Sequence, residues 1–146
     1  MKNYFLLALC VSLLFVGCEK DDGFRTVMIE VEMDAIPFAI DTLVGENVVY
    51  FQVALFSPDS GAELLRLGGF GEQGDQKKTY KSDEIAFAVG SNVSRFFELE
   101  GSLDTNYPSL PCDVTLRIKA DNKVIWSHMG KKGDDYFNEQ ANLIIR

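Results

Sequence analysis

The stretch that decides the fold runs CDVTLRIKADNKVIWSHM, from Cys112 to Met129. Cys112, Val114, Leu116 and Ile118 alternate with Asp113, Thr115, Arg117 and Lys119, the period of a strand with one buried and one wet face. Ala120-Asp121-Asn122-Lys123 interrupts the pattern with two Asx residues, which tolerate the positive φ that a tight hairpin turn requires. Val124 to Met129 then returns as the partner strand, placing Val124, Trp126 and His128 on one face.

The same period governs the residues on either side. Val27, Ile29, Val31 and Met33 alternate with Met28, Glu30, Glu32 and Asp34, a half-buried strand. Asn47 to Phe56 (NVVYFQVALF) is too uniformly apolar for an edge and reads as a central strand, stopped by Ser57-Pro58-Asp59-Ser60-Gly61. Glu63 to Leu67 reads as a short strand ending in a glycine run. Ile85, Phe87 and Val89 alternate with Glu84, Ala86 and Ala88, and after a loop at 130–135 a last strand from Glu139 to Ile145 turns Ala141, Leu143 and Ile145 to one side. Ser91 to Glu100 reads two ways: Val93, Phe97 and Leu99 suit a strand, whereas Val93, Phe96, Phe97 and Glu100 suit a helical turn. Seven or eight short strands, with turn signals between them and no long helical period, predict an all-β fold: a single antiparallel β-sandwich over residues 25–146. The segment from Pro111 to Asn142 loosely resembles the terminal hairpin of small immunoglobulin-like and transthyretin-like sandwiches of bacterial envelope proteins.

The N-terminus follows a different logic. Lys2 precedes a 13-residue apolar run from Tyr4 to Val16, long enough for a signal-peptide core and short of the roughly 20 residues needed to span a bilayer. It ends in Leu14-Phe15-Val16-Gly17-Cys18, which resembles the lipobox of bacterial lipoprotein precursors, with Phe15 where leucine is usual. The resemblance implies that residues 1–17 are removed and that Cys18 carries a diacylglycerol thioether and fatty acyl chains such as palmitate. Two or more acyl chains, at about 0.8 kcal/mol per buried CH₂, make such an anchor permanent. Residues 18–24 then form a lipidated tether. Lys20-Asp21-Asp22 within it resembles the export signal of Bacteroidota surface lipoproteins, which implies an address on the outer face of the outer membrane, with the periplasmic face as the alternative. Asp41-Thr42-Leu43 resembles the O-glycosylation motif of Bacteroidota envelope proteins, with Thr42 as the acceptor.

Composition narrows the partners. Removal of residues 1–17 leaves 129 residues with 13 basic and 22 acidic side chains, a net charge of −9. Such a domain is repelled by phosphate backbones, so a nucleic-acid partner is not expected. Cys10 leaves with the signal peptide and Cys18 is acylated, so Cys112 has no partner for an internal disulfide, and its place in an apolar row predicts an inert buried thiol.

No catalytic, cofactor or metal constellation emerges. Gly69-Phe70-Gly71-Glu72-Gln73-Gly74 fits G-x-G-x-x-G, but no helix period follows to present amides to a pyrophosphate. The expectation there is a flexible loop between strands, with Phe70 at its tip either exposed for contact or folded back onto the core. His128 is the sole histidine, too few for zinc and without a nucleophile elbow for a serine-type triad, and is expected to pack. Asp134 and Asp135 lack the spacing of a calcium loop. Asn92-Val93-Ser94 matches a eukaryotic glycosylation sequon that a bacterial signal peptide makes irrelevant. The expected function is that of a non-enzymatic, membrane-anchored module binding protein or glycan. An accessory subunit of an outer-membrane transporter or adhesin is the alternative, and an envelope hydrolase the second, since 22 acids offer many unmeasured pairs.

Overall fold

In a computed structural model, residues 23–39, 45–101 and 109–146 are described. Cys18, Lys20, Asp21, Asp22 and Thr42 lie outside the described residues. The chain is all-β, with two antiparallel sheets packed into a sandwich. The described residues form nine strands: β1 (Phe24–Met33), β2 (Val48–Phe56), β3 (Glu63–Glu72), β4 (Lys78–Lys81), β5 (Ile85–Ala88), β6 (Asn92–Glu100), β7 (Val114–Ala120), β8 (Lys123–Gly130) and β9 (Phe137–Ile144). The first sheet has the order β4-β1-β7-β8, with β5 sharing the β4 side of β1; the second has the order β3-β2-β6-β9.

Burial follows the period-two rows. Val27, Ile29, Val31 and Met33 of β1, Val114, Leu116 and Ile118 of β7, and Val49, Phe51, Val53 and Leu55 of β2 are all closed off from solvent, as are Val93, Phe97 and Leu99 of β6. Ser91–Glu100 is thus a strand in all but its first residue, and Cys112 is buried just ahead of β7, in line with its row. The Asp121-Asn122 turn has φ values of 47° and 65°, the left-handed pair of a two-residue hairpin. Asp121 also ties the turn to β1: its Oδ1 accepts from the Thr26 amide at 2.8 Å, and its own amide donates to the Thr26 carbonyl at 2.9 Å.

Three expectations need correction. The glycine run is strand, not loop. β3 continues through it to Glu72, with Gly69 opposite Phe51 and Gly71 opposite Val49. A Cβ on Gly69 would stand 3.0 Å from the tip of the Phe51 ring, and one on Gly71 2.7 Å from Met33 Sδ and 2.8 Å from Ile36 Cδ1. A strand glycine costs about 0.5–1 kcal/mol in backbone entropy, less than the roughly 1.5–3 kcal/mol from burying one large side chain. The glycines make room for three such side chains. Phe70 points to the other face and is exposed.

Second, Lys78-Thr79-Tyr80-Lys81 contributes a ninth strand, β4, where seven or eight were expected. It is a short edge whose lysines face solvent while Tyr80 packs on Phe51 at 4.9 Å between ring centroids. Third, Val124 does not share a face with Trp126 and His128. Ile118 pairs with Trp126 but Lys119 pairs with Val124, so Ile125 is an extra residue in β8 and Val124 turns outward with Lys119.

The alternation along β3 supplies a stability test. Gly71→Ala forces its methyl against Met33 and Ile36 and should cost about 1–3 kcal/mol. Gly68→Ala meets only ordinary contacts, the nearest at 3.6 Å, and should stay within about 0.5 kcal/mol of the parent. Urea unfolding midpoints of the two variants measure the difference, and equal losses would contradict the packing assigned to β3.

Candidate binding face of the second sheet

Registered partners in a sheet point the same way, so pairing turns separate strand positions into rows. On the outer face of the second sheet, Phe56 of β2 lies beside Ser94 of β6 and Asn142 of β9. The next row is Ala54, Phe96 and Gln140, and the next is Gln52, Glu98 and Asn138. Ala54 is small and wholly buried, which leaves a depression between the larger side chains. The result is a groove of 480 Å³ running over β2, β6 and β9, closed at one end by Ser57, Pro58 and Gly61 of the β2–β3 turn.

Among the described residues, no charged side chain lines this groove. Its walls are the amides of Gln52, Gln140 and Asn142 and the Ser94 hydroxyl, over the half-buried rings of Phe56 and Phe96. Tyr50 Oη donates to Gln52 Oε1 at 2.8 Å, and Gln140 Nε2 donates to Ser94 Oγ at 2.9 Å. These bonds orient two amides, each of which retains further donor or acceptor capacity. Glu98 stands beyond the groove, accepting from Tyr136 Oη at 3.0 Å.

The charged cluster of the first sheet is internally satisfied. On the outer face of the first sheet, Glu30 receives Lys119 Nζ at 2.7 Å and Arg117 Nη1 at 3.1 Å, while Glu32 receives Lys77 Nζ at 2.6 Å and Arg117 Nη1 at 2.9 Å. The Lys77 and Arg117 bonds hold the Glu32 carboxyl down at about 2. Glu30 is also held low, by Lys119 first. Such a ladder, cation answering anion, presents no unmatched charge to a ligand.

Inside the sandwich, Arg95 of β6 is almost fully enclosed, bonded through Nη2 to Glu139 Oε1 and stacked 4.3 Å from the Trp126 ring centroid. His128 lies 4.6 Å from the Phe97 ring and 5.2 Å from Phe137. Its Nε2 is buried without a hydrogen-bond partner, and burial pushes its pKa down, which keeps the imidazole neutral. His128 is therefore packed. Burial likewise pushes the Cys112 thiol up to about 11, aided by Asp34 and Asp113. Asp134 Oδ2 accepts the Lys131 amide of its own turn at 2.7 Å.

The groove is what sequence reasoning missed. Gln52, Phe96, Gln140 and Asn142 come from three strands that are not consecutive in the chain, and only the β2-β6-β9 order brings them together.

Two separate losses of stability with acid follow. His128 has a folded pKa below its ordinary 6.5, so the unfolded chain takes up a proton more readily, and stability falls as the pH drops below about 6.5. Glu32 is depressed from 4.5 to about 2, so its contribution is complete above 4.5 and is lost as the pH falls towards 2. Thermal midpoints measured across pH should show both steps. His128→Phe should flatten the upper one and Glu32→Gln should shrink the lower; an unchanged upper slope in His128→Phe would contradict a buried neutral imidazole.

No family model, curated protein or solved structure matches the chain, so the reading of this face stands on its geometry.

Proposed function

We propose that the chain is a lipoprotein anchored through Cys18, exported to the cell surface through Lys20-Asp21-Asp22, and that its sandwich domain binds glycan on the outer face of the second sheet. The observation that carries the binding assignment is the uncharged groove over β2, β6 and β9 in a protein with an acidic balance. A sugar ring offers an apolar C–H face and a rim of hydroxyls. Phe96 and Phe56 supply the surface for the first, and the Gln52, Gln140 and Asn142 amides, which donate and accept at once, suit the second. Direct hydrogen bonds of this kind contribute about 0.5–1.5 kcal/mol each, so recognition requires several together. A protein ligand is the second reading, favoured by Phe70, which is 61 % exposed and stands in register with Tyr50 on the same face.

Affinity electrophoresis of the mature protein through gels containing neutral or acidic polysaccharides tests the binding assignment. At least one neutral polysaccharide should retard the protein. The double variant Gln140→Ala/Asn142→Ala should weaken that retardation about tenfold, the equivalent of 1.4 kcal/mol, without lowering the unfolding midpoint. Indifference of the double variant to the retarding polysaccharide would remove the groove from the assignment, and a protein that no polysaccharide retards would remove glycan altogether.

The anchor has its own test. Cys18→Ala should abolish incorporation of radiolabelled fatty acid and detergent partitioning. Replacing Lys20, Asp21 and Asp22 together by Ala should leave acylation intact while making the protein resistant to protease added to whole cells. Equal protease sensitivity of both forms would reduce the segment to a spacer.

A further inference from the structure

The strands place five chain features at one end of the sandwich. β1 begins there with Phe24, and the Val89 amide donates to the Gly23 carbonyl at 2.7 Å. The β7–β8 turn is held to Thr26, which brings the start of β8 alongside. β9 finishes at the same end: Ile144 is opposite Asn92, and the Gly90 amide donates to the Ile145 carbonyl at 2.8 Å. Four large apolar side chains are exposed on this end: Phe24 at 54 %, Val89 at 43 %, Val124 at 51 % and Ile144 at 49 %. Val124 and Ile144 line a common groove with Arg146, and Lys123 stands exposed at the start of β8. Leu64, at the start of β3, is a fifth at 36 %, while Phe38, Phe70, Met129 and Tyr136 are exposed towards the opposite end, so both ends carry apolar side chains.

Chain length says what meets this end. Six peptide units separate Cys18 from Phe24, a reach of at most about 20 Å when fully extended. An acyl anchor on Cys18 therefore holds this end, and no other, within a short distance of the lipid. The β8 bulge is what turns Val124 outward here; without the extra residue, Val124 would share the inward face of Trp126. Lys123 and Arg146 flank Val124 and Ile144, but Asp121 and Glu84 stand at the same end, so apolar contact and not charge would hold it to a bilayer interface.

We infer that the end of the sandwich presenting Phe24, Val89, Val124 and Ile144 seats against the surface of the bilayer that holds the acyl chains of Cys18. The inference rests on the anchor reading of Cys18 and adds an orientation to it: the domain stands on this end instead of swinging freely on its tether.

Site-directed spin labelling of the acylated protein decides the matter. Cys112 is buried and Cys18 is blocked by its thioether, so a nitroxide reagent goes to an introduced cysteine alone. Val124→Cys and, at the opposite end, Lys131→Cys are exposed positions suited to the label. In vesicles of phosphatidylethanolamine and phosphatidylglycerol, the label at position 124 should collide severalfold more with oxygen than with a water-soluble nickel chelate. The label at position 131 should show the reverse. A protein that floats with the vesicles but has a water-like label at 124 overturns the seating and leaves the anchor standing. A label at 124 shielded from both reagents and broadened by a neighbouring nitroxide means that a second copy of the chain covers this end, which also overturns it. A protein that does not float at all overturns the anchor reading, and the seating with it.

Discussion

Among the described residues the two sheets share no hydrogen-bonded strand, so apolar contact between their inner faces carries the fold. No covalent staple assists, because Cys112 is the only cysteine among the described residues and is unpaired. Ile29, Leu116 and Ile118 on one side meet Phe51, Phe97 and Leu99 on the other, all fully buried. Each is worth about 1.5–3 kcal/mol by burial, set against a net stability of about 5–15 kcal/mol for a domain. Only a few such contacts separate the folded from the unfolded chain. That dependence frees the outer faces, where polar side chains add little to stability. One outer face is neutralised by the Glu30 and Glu32 ladder, and the other holds the groove.

Among the described residues, the charged side chain enclosed between the sheets is Arg95, and it links the core to the groove. Its charge is stacked on Trp126 and paired with Glu139 of the edge strand β9. Burying a cation is expensive, and removing the partner of a buried charge typically costs about 3–5 kcal/mol. A one-residue slip of β9 would carry Glu139 to the opposite face and leave Arg95 unpaired. The same slip would turn Gln140 and Asn142 inward, away from Phe96 and Ser94. The buried pair therefore does more than close the sandwich edge. With the inward Phe137 and Leu143, it favours the register in which an edge strand presents two of the three groove amides.

The residues show why some of this was legible beforehand and some was not. The β7–β8 hairpin, β1 and β2 were readable because alternation and turn chemistry are local, and Cys112 to Ile118 needed no partner to declare its inner face. The glycine run was misread because glycine has no side chain with which to announce a face. Gly69 and Gly71 are strand residues for the sake of Phe51, Met33 and Ile36, which lie 18 or more positions away in the chain. β4 was hidden by its length and its lysines, as a protected edge generally is. The bulge at Ile125 shifts Val124 by a single residue, a change that no periodic template registers. The groove was illegible for a stronger reason: Gln52, Phe96 and Gln140 look like ordinary solvent-facing positions until three distant strands are laid side by side.

Strand direction then relates the groove to the tether. Ser57, Pro58 and Gly61, which close the groove, belong to the turn after β2, and β2 runs antiparallel to β6, whose first residues lie at the Phe24 end. The groove thus opens on the flank of the sandwich, in the half nearest the N-terminal strand start. Under the proposed anchoring through Cys18, a short tether would bring that flank close to the bilayer, while Met33, Glu100 and Val114 stand at the far end. A ligand bound there would lie along the domain and next to the membrane instead of at the outermost tip. Long extended chains satisfy that geometry more readily than a compact protein partner, because a chain can thread between a domain wall and a lipid surface where a globular body of similar width would collide with both.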